Sequence, residues 1–512
     1  MNHLITKNSI YHFYNQNFEK ALVFLIIIAG FIISLAQFLY NRSLWLDECS
    51  LALNIINKGA LDLFKPLHSN QVAPILFLQI ENVFSNLIPN SEYGLRLLPL
   101  LSFWTSIVLF YNILRILFKN YYVVILGLSL FVFNSTLIYY SSELKQYMTD
   151  ILVITSIYFF MLKHYEKAQH KYYILGFMGI IGIFLSNVSP IILFTSGVYL
   201  VFKTDLNNKY ELKFLAGLFI IWLLTFLFYY LFFISEHPTI ELMISYWSAE
   251  HAFLPTNPFS LEFYEFLQKN TLMILFKLFK LGYIGGVLIG ILILIGLLYT
   301  FYKKQTGIFI IVVLPIIVHL ILSSLKMYPF HLRLTIYLVP TIIIIILVGF
   351  NEISKISLFH TSTHKYRIWV IAIPLIIFSA FINNKFPIQI EEIKKSINYI
   401  NKNISDGDNM VLYYAATPAY NYYKKTNYNL PNIETQIIGS WKNGISRGDV
   451  EELINCDGSY WFLFSHKRMN EEKHMLDLLD SLGYSRLSEF KTIGSSAYLY
   501  DFGQKEPVND TK

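Results

Sequence analysis

The stretch FEKALVFLIIIAGFIISLAQFLYNRSLWLDE, from Phe18 to Glu48, decides what kind of molecule this is. Between Ala21 and Tyr40 it offers 20 consecutive residues without a charge. At a rise of about 1.5 Å per residue, a helix of that length crosses a hydrocarbon layer about 30 Å thick. No small-residue cleavage site precedes Asn41, so the run reads as an uncleaved anchor and not as a signal peptide. Directly past its end stand two adjacent carboxylates, Asp47 and Glu48.

Similar runs recur along the chain, near Leu95–Leu117, Tyr122–Tyr139, Met148–Leu162, Tyr172–Leu185, Pro190–Phe202, Phe214–Ile234, Leu281–Phe301, Ile308–Leu322, Leu334–Phe350 and Ile368–Ile382. Of the 512 residues, 55% are hydrophobic, 17% aromatic and only 14% charged. Soluble domains carry about 25% charge, so a wholly water-soluble enzyme is excluded. The charge is also uneven, with 32 of the 74 charged residues in the last 130 positions. The expected fold is therefore mainly α: a polytopic membrane domain of about 11 transmembrane helices over residues 1–382, followed by a small soluble α/β domain over 383–512. The net charge of +6 is dispersed among the spans, without the basic stripe a nucleic-acid partner needs. Two cysteines, Cys49 and Cys456, make at most one bridge and read better as unrelated thiols.

Short cytoplasmic loops are enriched in Lys and Arg. Lys7 and Lys20 precede the first span, and alternate loops carry Arg115 and Lys119, Lys163 to Lys171, Lys203 to Lys213, Lys303 and Lys304, and Lys355 to Arg367. The N-terminus is thus expected in the cytoplasm. The segment 41–90, the loop 235–280 and the tail from Asn383 are expected outside. The tail alternates a helical stretch (Glu391–Ile404), a strand (Met410–Ala415), a helical run (Val450–Ile454), a strand (Tyr460–Phe464), a helix (Glu471–Leu482) and a last strand (Ala497–Tyr500). No internal repeat and no phosphate-cradling glycine loop interrupts this plan.

Ionisable side chains at membrane depth are costly and mark function by default. Asp47 carries two readings that stand together: a cap on the helix running on to Ile56, with Glu48 favouring its N-terminal end, and a general base facing a cavity. In Tyr139-Tyr-Ser-Ser-Glu143-Leu-Lys145-Gln-Tyr147-Met-Thr-Asp150, the spacing predicts Glu143, Tyr147 and Asp150 on one helix face, lining a water-filled cavity or meeting a buried partner. The alternative is a Glu143–Lys145 pair that ends a helix. Arg96 and Arg333 fall at outer ends of spans, where excess positive charge is not expected; they either snorkel to headgroups or hold a phosphate bidentately. His68, His237, His251 and His331 lack metal-ligand spacing, and no metal site is predicted.

Four motifs in order, Leu44-Trp-Leu-Asp47-Glu48, Arg96-Leu-Leu-Pro99, Ser141-Ser-Glu-Leu-Lys-Gln-Tyr147 and Tyr328-Pro-Phe-His-Leu-Arg333, resemble bacterial glycosyltransferases of the GT-C superfamily. The resemblance is to the protein-mannosyltransferase and aminoarabinose-transferase-like group (glycosyltransferase family 39-like). It covers about the first 350 residues, and Tyr413–Tyr423 resembles the soluble extension of bacterial members. It implies Asp47, with Glu48 beside it, as catalytic base, and Arg96, Lys145 and Arg333 as donor-phosphate ligands. The family's His-Pro-Pro turn is replaced by Gln71-Val-Ala-Pro74, so no histidine role transfers.

Nucleotide sugars are cytoplasmic, so an outward-facing transferase needs a lipid-linked donor. The expected reaction moves a sugar, with inversion, from a polyprenyl-phosphate donor to an extracytoplasmic glycan, lipid or protein acceptor at a bacterial inner membrane. No cofactor is called for, and a divalent cation requirement stays open. The alternatives are a lipid-linked sugar flippase or transporter, and a polysaccharide polymerase or ligase.

Overall fold

The computed structural model describes residues 2–89, 92–205, 207–235, 237–355, 363–426, 435–454, 458–468 and 470–505. In chain order its helices are α1 (Asn2–Tyr40), α2 (Leu46–Asn57), α3 (Ile75–Leu87), α4 (Leu97–Leu117), α5 (Tyr121–Val132), α6 (Ser135–Tyr140), α7 (Tyr147–Leu162), α8 (Ala168–Leu185), α9 (Ser189–Lys203), α10 (Lys209–Tyr229), α11 (Ile240–Ala249), α12 (Leu261–Leu272), α13 (Gly282–Tyr302), α14 (Thr306–Ser324), α15 (Val339–Ile353), α16 (Thr363–Ile382), α17 (Ile393–Asn403), α18 (Thr417–Lys425), α19 (Arg447–Ile454) and α20 (Glu471–Ser481). Each apolar run named above coincides wholly or in large part with these helices, with one exception described below. Among the described residues, six helical stretches are long and apolar enough to cross a membrane: Asn17–Tyr40, Gly94–Leu117, Lys209–Ile234, Gly282–Tyr302, Thr306–Ser324 and Ile336–Ile353. Shorter apolar helices occupy Tyr121–Val132, Tyr147–Leu162, Ser189–Lys203 and Ile371–Ile382. The chain is a multi-pass membrane protein.

One expected span is broken. Tyr122–Tyr139 is not a single helix, because the Asn134 side chain accepts from the backbone N–H groups of Thr136 at 2.9 Å and Leu137 at 3.1 Å and so caps α6 as a new helix.

By its contacts the chain divides into two compact units. The first comprises Met1–Leu39, Ala73–Ile80 and Arg96–Ile388; the second comprises Tyr40–Val72, Glu81–Leu95 and Gln389–Lys512. The second unit thus unites the segment after the first span with the C-terminal residues.

In the first unit α15 is the central helix, buried from Val339 to Gly349. α13 lies against it at Gly296 and Gly349, where a Cβ on the first would run into the Ile345 carbonyl and a Cβ on the second into the Leu292 carbonyl. Small residues that let helix backbones approach this closely are how helices associate in lipid, which offers no hydrophobic drive of its own. α10 and α13 turn large apolar side chains outward, among them Leu224, Ile284 and Leu298, each 60% exposed or more. Such a belt suits acyl chains and not water.

In the second unit a five-stranded sheet is formed by β1 (Asn409–Tyr413), β2 (Thr435–Ile438), β3 (Ser459–Ser465), β4 (Tyr484–Thr492) and β5 (Ser495–Lys505), in the order β2-β1-β3-β5-β4. β1 runs parallel to β2 and β3, while β5 is antiparallel to β3 and β4. The expected tail elements are all present. α18, β2 and β4 are additional.

Candidate functional site

In the second unit, the segment after the first span is built around the start of α2. Trp45 holds the N-cap position, so Asp47 stands second and Glu48 third in the first turn. Glu48 does the capping: its Oε2 accepts from the Trp45 backbone N–H at 3.4 Å and from Arg42 Nη1 at 2.7 Å. Both members of the Arg42–Glu48 pair are at most 1% exposed. The reading of Asp47 as the cap is corrected on this geometry, because the N-cap position falls two residues earlier, at Trp45. Asp47 is half-buried and close to the positive end of the helix dipole. Arg42, one residue past the charge-free run, was not singled out in the sequence; its position six residues before a carboxylate carries no helical or strand spacing.

The same segment is pinned from the tail. The Leu44 N–H donates to the Tyr423 hydroxyl at 2.8 Å, and the Lys394 N–H to Ser43 Oγ at 3.1 Å. Lys394 Nζ reaches the Asn41 carbonyl at 2.5 Å and Glu92 at 3.2 Å. The buried Cys49 thiol donates to the Leu44 carbonyl at 3.3 Å; Cys456 lies outside the described residues.

Glu81 is a further group that the sequence reading passed over. It lies in α3, is fully buried, and neither of its oxygens has a hydrogen-bond partner among the described residues. Burial alone pushes its carboxyl well above the usual carboxylate range. Its signal in the sequence is that it is the one charged residue in ILFLQIENVFSNL.

In the first unit the second cluster departs from its expected form. Glu143 and Lys145 sit in a turn and α7 starts at Tyr147, so Glu143, Tyr147 and Asp150 do not share one helix face. α6 ends early because Ser141 and Ser142 donate back to the Ile138 and Tyr139 carbonyls, at 2.7 and 3.3 Å. All four of Glu143, Lys145, Tyr147 and Asp150 are nonetheless buried. Asp150, in the first turn of α7, accepts from Ser186 Oγ at 2.6 Å and so ties α7 to the α8–α9 connection. Tyr147 meets Tyr140 edge to face at 5.0 Å.

Arg96 does not snorkel. It holds the N-cap position of α4 and is 1% exposed. Arg333 lies half-buried with its guanidinium 5.1 Å over the ring of Trp247, from α11 in the loop 235–280. His331 packs on the same ring at 5.2 Å; burial, with the Arg333 charge next, pushes its imidazole down to about 4, so it is neutral at physiological pH.

Asp47 and Glu48 thus belong to the second unit, and Arg96, Glu143, Lys145, Tyr147, Asp150 and Arg333 to the first. Among the described residues, no group of three His, Cys, Asp or Glu is placed to hold a metal ion. The one Asp-x-Asp in this region, Asp406-Gly-Asp408, forms a turn, with Asp408 accepting from the Ser405 N–H at 2.9 Å and from Trp461 Nε1 at 3.1 Å.

No family model and no curated protein matches the chain. Among solved structures it is similar to ArnT from Cupriavidus metallidurans bound to undecaprenyl phosphate, with 12% identity, a TM-score of 0.53, and 94% of this chain and 98% of that chain covered. The apo state of the same protein gives 12% identity and 0.52, with 95% and 98% covered. The chain has the fold of ArnT. At 94% coverage the likeness takes in the C-terminal sheet together with the residues that carry the sequence motifs.

Proposed function

We propose that this chain is a membrane glycosyltransferase that moves a sugar from a polyprenyl-phosphate donor to an extracytoplasmic hydroxyl acceptor with inversion at the anomeric carbon. The observation that carries the reading is the whole-length likeness to ArnT, whose structure holds undecaprenyl phosphate. The half-buried Asp47 in the first external segment adds a carboxylate suited to general-base work. In this reading Asp47 takes the proton of the attacking hydroxyl. Arg96, Lys145 and Arg333 neutralise the phosphate as it leaves, and Glu143, Tyr147 and Asp150 line the cavity. Glu48, engaged with Arg42 and fixing the start of α2, is the second carboxylate of this catalytic pair. The membrane domain spans 1–382 and the soluble domain 383–512, in a bacterial inner membrane, with the N-terminus in the cytoplasm and the tail outside.

The test is to incubate the purified protein in lipid with radiolabelled polyprenyl-phosphate hexoses and pentoses together with a cell-envelope fraction. Label should leave the lipid, and Asp47→Asn should lower transfer by about 10²- to 10⁴-fold, the worth of a positioned base, while the protein still inserts and folds. Near wild-type turnover in that variant would remove Asp47 from the chemistry. Label that crosses the bilayer but stays on the lipid would make the protein a flippase.

A further inference from the structure

The sheet of the second unit changes direction at one place. From β1 the chain moves outward to β2, then returns past β1 to β3, so the switch lies between β1 and β3. In open α/β sheets, ligands bind outside the carboxyl ends of the strands at such a switch. Here the residues just past those ends are Tyr414 and His466.

What gathers there is a strip of rings. Trp45, His466, Trp441 and Tyr414 follow one another with ring centroids 5.8, 6.4 and 5.0 Å apart. Trp441 is 52% exposed, at the tip of a turn closed by Ser440 and Gly444. That turn depends on two glycines with positive φ, Gly439 (79°) and Gly444 (68°), and a Cβ on Gly444 would come within 2.7 Å of Glu471 Oε1. His466 itself sits at φ 53°, a conformation a non-glycine residue seldom adopts, and Glu391 holds its Nδ1 at 2.7 Å. A carboxylate and a guanidinium adjoin the strip at its Trp441 and Tyr414 end, where Tyr414 is buried. Glu471 Oε2 accepts from Tyr413 at 2.7 Å and Tyr414 at 3.3 Å, and exposed Arg468 donates to the Trp441 carbonyl at 3.0 Å. The far end of the strip is Trp45, whose shielded indole N–H has no hydrogen-bond partner among the described residues. Trp45 is the N-cap of α2, two residues before Asp47.

The chemistry of the strip narrows its ligand. A phosphate would need the open amides of the helix after β1, but α18 starts Thr417-Pro418, and no glycine loop precedes it. An acyl chain would need a groove without ionised groups beside its rings. Flat apolar faces adjoined by hydrogen-bonding groups match a sugar, which presents C–H faces and hydroxyls together.

We propose that the Trp45–His466–Trp441–Tyr414 strip is a saccharide-binding subsite that delivers the acceptor hydroxyl towards Asp47, making the acceptor a glycan and not a peptide or a bare lipid. The delivery rests on the function proposed above; the binding does not.

The full-length protein in nanodiscs is titrated with glucose, galactose, mannose, N-acetylglucosamine, arabinose and their disaccharides, and with a Ser/Thr-rich peptide, and binding is read by saturation-transfer NMR on the ligand. At least one saccharide should saturate. Trp441→Ala should weaken it about ten-fold, the size of one lost stacking face, and Asp47→Asn should leave it unchanged. Should Trp441→Ala melt early, Trp441→Leu keeps the bulk without the ring and should lose affinity equally. Binding of the peptide alone, no saturation by any saccharide, or wild-type affinity in Trp441→Leu overturns the subsite. Saccharide binding with no transfer from any lipid donor would instead overturn the function proposed above and leave the subsite standing. In the transfer assay Trp441→Ala should raise the acceptor KM with the donor KM unmoved.

Discussion

Arg42 and Glu48 are worth more together than either is alone. Their ion pair is sealed from water, and removing one partner leaves a buried charge uncompensated. Arg42→Ala should therefore destabilise the second unit by about 3–5 kcal/mol, whereas the double change Arg42→Met with Glu48→Gln should recover most of the loss. Thermal melts of the three proteins in one detergent check this; equal melting temperatures for the single and the double variant would show that no such coupling exists. Glu81 behaves in the opposite sense. Its folded-state carboxyl titrates well above 4.5, so above that pH the unfolded chain gives up a proton that the folded chain keeps. Glu81 thus costs stability as the pH rises through that window. Glu81→Gln should raise the melting temperature, with a gain that grows as the pH rises above about 4.5 and vanishes in acid.

At the level of elements, the apolar runs were legible because each is long enough to announce itself by composition alone. The end of α6 and the start of α7 were not. Ser141 and Ser142 end the helix by bonding to their own backbone, which breaks the i, i+4, i+7 face on which Glu143 was expected, and hydropathy does not register such local bonds. In the tail, β1, β3 and β5 read as apolar runs because they are the central strands of the sheet. β2 and β4 are its edges, and β4, YSRLSEFKT, alternates exposed polar residues with partly buried ones, a pattern that composition cannot tell from loop. Arg42, His466 and Trp441 escaped notice for another reason: what gives them a role stands on other segments, or across an irregular turn, and no periodicity links them. The α13–α15 contact supplies a test of its own. Gly349→Leu would force a side chain into the Leu292 carbonyl and should abolish stable folding, while Gly217→Leu on α10, where nothing lies within 4 Å, should be tolerated. Fluorescence-detected size-exclusion profiles separate the two; a monodisperse Gly349→Leu protein would mean that the helices can part at little cost.

For the whole molecule, the lysine-bearing loops alternate with the other connections between spans, and Lys355 to Arg367 precede only one more apolar span. Alkaline phosphatase fused after Lys512 should be active and a cytoplasm-restricted fluorescent protein dark. The reverse result would invert the proposed topology of the tail. The pinning of Leu44 by Tyr423 also sets a clock. The two residues are 379 positions apart, and a ribosome adds about 5 to 20 residues each second, so the loop carrying Asp47 emerges about 20 to 75 seconds before the residue that fastens it exists. Throughout that interval the nascent chain is inserted but unarmed. Completion of synthesis is what completes the loop, and a message cut short between residue 350 and Tyr423 yields a membrane protein with every motif of its first 350 residues and without the hydroxyl that fastens Leu44.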